Sequence, residues 1–166
     1  MKDQKILAIY LTFGLLIIVG YTSMIKNYKP ALWSNNNKNV ILKIKPLKYI
    51  YFAMIFICSI SSIYLIYYLT DIEKSTTDEI LIYTGSVIFL VFSTVWAFFP
   101  YTASVFVLAC VAIGTILILA GIGINQKHLP ADNKKILALV AATILVIQTS
   151  VFDFGIWNGL VKFGIK

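Results

Sequence analysis

The sequence has no arginine, one histidine and two cysteines. Arginine is the preferred residue for bidentate recognition of phosphates and base edges, and the lysines lie between apolar segments. The net charge of +7 therefore does not indicate nucleic-acid binding. Cys58 and Cys110 lie inside apolar runs without neighbours at metal-ligand spacing, which argues against a structural zinc site.

Motifs for catalysis and conduction are missing as well. The chain has no phosphate-binding glycine loop, no HExxH motif, no serine–histidine–aspartate set and no potassium-filter sequence. With a single histidine, His128, it also offers no histidine pair for haem iron. We therefore expect neither an enzyme nor a bound cofactor.

Charged residues are scarce, at 13% of the chain, whereas soluble domains carry about 25%. Hydrophobic residues make up 60% of the 166 residues, and the mean hydropathy is +0.87. This composition predicts a lipid bilayer as the surroundings of the chain. The length allows one membrane domain, residues 1–166, and no separate soluble domain.

Five apolar segments predict an all-α, polytopic membrane protein, a bundle of five transmembrane helices: 6–25, 49–69, 80–99, 101–124 and 136–157. Each has about 20 residues or more, enough to cross the roughly 30 Å hydrocarbon core as a helix. Their apolar character is continuous rather than alternating, which favours helices over strands. The first segment is longer than the apolar part of a signal peptide, so we interpret it as a retained helix.

The stretch 80–124 is almost uncharged and admits two interpretations. It forms either one broken helix or two helices joined at Pro100. Proline disfavours helix at the residue before it, and a full span fits on each side. We therefore predict a tight hairpin at Pro100.

A lysine-rich loop, 26–48, sets the predicted orientation. It carries six lysines and no acid, whereas 70–79 has a net charge of −3. Lysine excess near helix ends marks the cytoplasmic side. We therefore predict that this loop and the carboxyl terminus face the cytoplasm and that the amino terminus lies opposite.

All three tryptophans fall on the lysine-rich side of this topology: Trp33, Trp96 and Trp157. One interpretation is an aromatic belt at the headgroups, where the indole ring is apolar and its N–H is hydrated. The other is the mouth of a pocket beneath the lysine-rich loop. A belt usually populates both interfaces, and here the other side has tyrosines, such as Tyr68 and Tyr83, but no tryptophan, so both interpretations stay open.

Asp153 is the one acid inside a predicted span. Ionisable groups at membrane depth are costly and suggest a functional site. Gln148 and Thr149 precede it by about one turn, and α-helical spacing would place Thr149, Asp153 and Trp157 on one face. The alternative is a carboxylate at the interface that pairs with a lysine of the loop or tail.

Three patches resemble the translocator protein family, the tryptophan-rich sensory proteins, which have a similar length and five helices. The patches are 29–33 (KPALW), 96–100 (WAFFP) and 156–158 (IWN). The chain departs from the family in having 34–37 (SNNN) where prolines are expected, and Asp153 is outside the family pattern. The resemblance implies a pocket for a sterol or tetrapyrrole, covered by the first loop, and a homodimer.

Three functional hypotheses remain. The first is the binding or transport of a small hydrophobic ligand by Trp33, Trp96, Gln148, Asp153 and Trp157. The second is a structural subunit of a larger membrane complex, with small-residue pairs such as Cys58–Ser62, Cys110–Gly114 and Ala138–Ala142 at the contacts. The third is an ion or proton channel that uses Asp153, which is weaker because the spans contain a single acid.

Overall fold

The computed structural model describes residues 4–33, 45–71, 76–99, 105–125 and 133–157. These residues form five helices: α1 (Gln4–Trp33), α2 (Lys45–Asp71), α3 (Thr76–Phe98), α4 (Val105–Asn125) and α5 (Asn133–Ile147), the last continuing as a π-helix (Gln148–Trp157). The all-helical prediction is confirmed. Continuous apolar runs form helices because helical hydrogen bonding satisfies the backbone within each segment, which lipid cannot do.

The helix bounds differ from the predicted ones mainly at the lysine-rich loop. α1 continues to Trp33 and α2 begins at Lys45, so both helices extend into the segment predicted as a loop. Residues 34–44 lie outside the described part. The prediction of two helices in 80–124 is confirmed, because α3 and α4 are separate and pack extensively on each other.

Within the described residues, four stretches are long and apolar enough to cross a membrane: Ala53–Asp71, Thr77–Phe98, Val105–Ile124 and Asn133–Phe154. In α1, the apolar stretch Gln4–Gly20 is shorter. Large apolar side chains point outward from the helices; Phe56, Ile63 and Phe106 are 67%, 69% and 67% exposed. Soluble monomers rarely expose apolar surface on this scale. The chain is therefore a helical integral membrane protein, and a membrane crossing by α1 stays a prediction.

The helices pack in a ring whose order differs from their order in the chain. α1 packs on α3, α3 on α4, α4 on α5 and α5 on α2, and the ring closes through a sparse contact between α2 and α1. α1 runs parallel to α3, since Tyr10 contacts Ser86 and Gly20 faces Ala97. The amino-terminal ends of α1 and α3 therefore lie at the same end of the bundle, as the predicted topology requires. Which end faces the cytoplasm stays a prediction.

Two glycines allow α3 and α4 to approach closely. A Cβ atom at Gly114 would lie 2.5 Å from the backbone nitrogen of Phe89, and one at Gly85 would lie 2.7 Å from the carbonyl oxygen of Gly114. Any larger residue would push the helices apart. Small residues serve the same purpose in other membrane helix pairs.

Large aliphatic side chains fill the end of the bundle where α2 ends and α3 begins. Six of them are at most 1% exposed: Ile6, Leu65, Leu69, Ile82, Ile118 and Ile122. They come from α1, α2, α3 and α4, and they belong to one continuous core with Ala138, Ala141 and Ala142 of α5. We call this region the filled end.

Candidate functional site

A cavity of about 370 Å³ lies between the helices. All five helices contribute to its wall, and on α3, α4 and the π-helix the lining residues lie toward the end where α3 stops and α4 starts. We call this region the hollow end. Its lining is mostly apolar, with side chains such as Ile17, Phe89, Leu108, Val111 and Leu145.

The cavity opens sideways between α1 and α2. Ile18 of α1 and Ile63 of α2 line it, yet they are 63% and 69% exposed, and Ser59 beside them is also exposed. These two helices form the sparsest contact in the ring. If α1 crosses the membrane as predicted, this opening would connect the cavity with the interior of the bilayer.

Gln148 and Asp153 form the main polar feature of the wall. The Gln148 Nε2 donates a hydrogen bond to the Asp153 Oδ1 at 3.1 Å, and both residues line the cavity. The π-helix explains this pairing, because its hydrogen bonds run from i to i+5 and it brings residues five apart side by side. The prediction that Thr149, Asp153 and Trp157 share a face rested on α-helical spacing, which this segment does not follow. Thr149 and Asp153 nevertheless both line the cavity, and the side chain of Trp157 is not described.

Trp96 is 6% exposed and lines the cavity, two residues before the end of α3. A side chain buried within the bundle does not fit an aromatic belt on the outer surface. Three of the five predicted site residues, Trp96, Gln148 and Asp153, thus converge on one cavity. The side chains of Trp33 and Trp157 are not described, and neither are those of the lysines in 26–48 that were considered as partners of Asp153.

Hydrogen bonds between helices hold the walls of the cavity in place. The hydroxyl groups of Tyr10 and Ser86 lie 3.0 Å apart and join α1 to α3. Those of Thr115 and Thr149 lie 2.8 Å apart and join α4 to the start of the π-helix. Tyr10, Ser86 and Thr115 were missed at the sequence level, where the available signal was a hydroxyl inside an apolar run.

The small-residue pairs proposed for contacts with partner subunits are used inside this chain. Ala138 and Ala142 are 0% and 1% exposed. A Cβ on Gly114 would collide with α3, and the buried Cys58 thiol lies 3.8 Å from the Ile144 carbonyl oxygen of α5. Cys58, Gly114, Ala138 and Ala142 therefore close the bundle on itself, whereas Ser62 and Cys110 are half-buried.

No protein-family model, curated protein or solved structure matches this chain. The resemblance to the translocator protein family stays a prediction. Within the described ranges, no three histidine, cysteine, aspartate or glutamate side chains are grouped as metal ligands. The cavity and its polar wall are therefore the features on which a function can be argued.

Proposed function

We propose that this protein binds a small hydrophobic molecule in the cavity between its helices, and that the molecule enters from the bilayer between α1 and α2. The observation that carries the proposal is a cavity lined by all five helices and open on the surface that faces lipid. Its volume of about 370 Å³ lies within the range of about 300–1,000 Å³ that is typical of ligand pockets.

The composition of the wall supports the same proposal. Ligand pockets combine an apolar lining with a few placed polar groups that fix orientation, and here Gln148 and Asp153 supply such groups at the hollow end. A π-helical segment often occurs at a functional site. The sterol or tetrapyrrole implied by the family resemblance, and the homodimer, belong to this proposal as candidates for testing.

Gly14 offers a way to fill the cavity without disturbing its walls. It lines the cavity, and a Cβ atom built on it would meet no other atom within 4 Å. Gly123 of α4 is equally unobstructed and does not line the cavity. Gly14→Phe and Gly123→Phe are therefore a matched pair: both add a benzyl group, and the first adds it to the cavity.

The test is a fluorescence titration of the purified protein, with Trp33→Phe and Trp157→Phe so that Trp96 is the one remaining tryptophan. The probes are 1-pyrenemethanol, protoporphyrin IX and, as a competitor, cholesterol. We expect saturable quenching of Trp96, at least about tenfold weaker binding in Gly14→Phe, and unchanged binding in Gly123→Phe.

Quenching that rises in proportion to the probe dissolved in the detergent, without saturation, would contradict the proposal. Equal behaviour of the two glycine variants, when both are monodisperse and helical by circular dichroism, would also contradict it. Either result would favour the hypothesis of a structural subunit.

A further inference from the structure

We propose that the preferred ligand is a lipophilic cation, an apolar body that carries a protonated amine, held at its charged end by Gln148 and Asp153. This inference rests on the proposed binding function and specifies the chemical class of the ligand. The apolar body would occupy the space between Phe89, Val111 and Leu145, and the ammonium group would face the polar wall.

The orientation of the Gln148 amide leaves one of its hydrogen-bond acceptors without a partner. An ionised carboxylate only accepts hydrogen bonds, so the amide nitrogen must be the atom that faces Asp153 Oδ1 at 3.1 Å. The opposite atom of the amide, Oε1, is then an acceptor. Gln148 is 5% exposed, and this Oε1 is buried with no hydrogen-bond partner among the described residues.

A buried acceptor without a partner is costly and is therefore uncommon in folded proteins. Gln148 lines the cavity, but its Oε1 has almost no accessible surface, so a ligand would supply the missing donor once the Gln148 side chain turns toward it. An alcohol would supply one O–H donor, whereas an ammonium group has several N–H donors and can serve Gln148 Oε1 and the carboxylate of Asp153 together.

The charge of the cavity wall also favours a cation. Among the described residues that line the cavity, Asp153 is the one with a formal charge at neutral pH. The rest of the lining is mostly apolar, and in such surroundings opposite charges attract more strongly than in water. Trp96 lines the same end of the cavity, and indole faces attract cations. An anionic ligand would be repelled by the same groups.

The experiment compares three probes that share one apolar body: 1-pyrenemethylamine, 1-pyrenemethanol and 1-pyrenecarboxylate. Each is titrated into the full-length protein at neutral pH, and into Asp153→Asn, Gln148→Leu and Gly14→Phe. Asp153→Asn keeps the size of the side chain and its ability to accept from Gln148, but removes the charge.

We expect the amine to bind at least about tenfold more tightly than the alcohol, because charge-assisted hydrogen bonds are roughly twice as strong as neutral ones. The carboxylate should bind most weakly of the three probes. Asp153→Asn should abolish the preference for the amine, so that the amine and the alcohol bind with similar affinity. Gln148→Leu should lower the affinity for the amine and for the alcohol to the same extent. Gly14→Phe should lower the affinity for all three probes.

The outcomes separate this inference from the function on which it rests. If the three probes bind with equal affinity and Gly14→Phe still weakens them, the cavity binds hydrophobic molecules but the inference of a cationic ligand is wrong. A preference for the amine that survives in Asp153→Asn overturns it as well. If no probe binds saturably, the binding function itself fails.

Discussion

The two ends of the bundle are built from different side chains, although the same helices form both. At the filled end, aliphatic side chains such as Leu69, Ile82 and Ile122 are fully buried in one continuous core, and the charged Asp78 and Lys135 are buried there as well. At the hollow end, the inward positions carry serines, a glutamine and an aspartate among apolar residues, and a cavity remains. If the proposed binding function is correct, the filled end supplies most of the stability and the hollow end holds the ligand.

Truncation of one aliphatic side chain at each end tests this division most directly. Ile118 is 1% exposed in the continuous core, whereas Leu108 on the same helix is 3% exposed and borders the cavity. Ile118→Ala should lower the free energy of unfolding by about 2–5 kcal/mol, the usual range for a buried aliphatic residue. Leu108→Ala should lower the free energy of unfolding by about 2 kcal/mol or less, because part of the Leu108 side chain already faces the cavity.

The measurement is unfolding of the purified protein in mixed micelles of a mild detergent and SDS. Ile116→Ala serves as the control, since Ile116 is 47% exposed on the lipid-facing surface of the same helix. Equal losses for Ile118→Ala and Leu108→Ala would mean that the two ends are packed alike, and the distinction would be wrong.

α3 and α4 pack closely at both ends of the bundle. A larger residue at Gly114 would force them apart. Gly114→Ala places a methyl group 2.5 Å from the backbone nitrogen of Phe89 and 2.8 Å from its Cα. Because backbone cannot rotate away, we expect a loss of about 1–3 kcal/mol in unfolding free energy, typical of overpacking. In Gly123→Ala no atom lies within 4 Å of the added carbon, so the free energy of unfolding should not fall. A similar stability of the two variants would contradict the close approach of α3 and α4.

The hydrogen bond between Tyr10 and Ser86 should have the smallest effect. It joins α1 to α3 at 3.0 Å, and interhelical hydrogen bonds in membranes contribute about 0.6 kcal/mol on average and up to about 1.7. A double-mutant cycle of Tyr10→Phe and Ser86→Ala should give a coupling energy of this size. A coupling indistinguishable from zero would show that the hydroxyl pair does not hold α1 in place.

Composition and apolar segment length were sufficient to predict five helices and the α3–α4 hairpin, because the backbone in lipid has few alternatives. The polar or amphipathic character of Trp96, Gln148 and Asp153 was sufficient to select them, since such residues stand out in apolar runs. Their geometry was not predictable in the same way. The pairing of Gln148 with Asp153 depends on π-helical spacing, and no periodicity in the sequence predicts a π-helix here.

The contribution of α1 to the cavity was also hidden in the sequence. Gly14 and Ile17 have no distinguishing chemistry, and they line the cavity only because α1 packs on α3 instead of closing against α2. That choice depends on contacts between segments far apart in the chain, such as Gly20 with Ala97. A single sequence gives the length of each helix but not its neighbour.

The packing order of the ring has a consequence for how the protein is made. Tyr10 is synthesised 76 residues before its partner Ser86, an interval of about 4–15 seconds at the usual translation rates of about 5–20 residues per second. Throughout this interval the helix on which α1 packs in the finished bundle is incomplete. The hairpin of α3 and α4 is the first unit whose helices are both consecutive and closely packed, so α1 joins the bundle only after much of the rest has been translated.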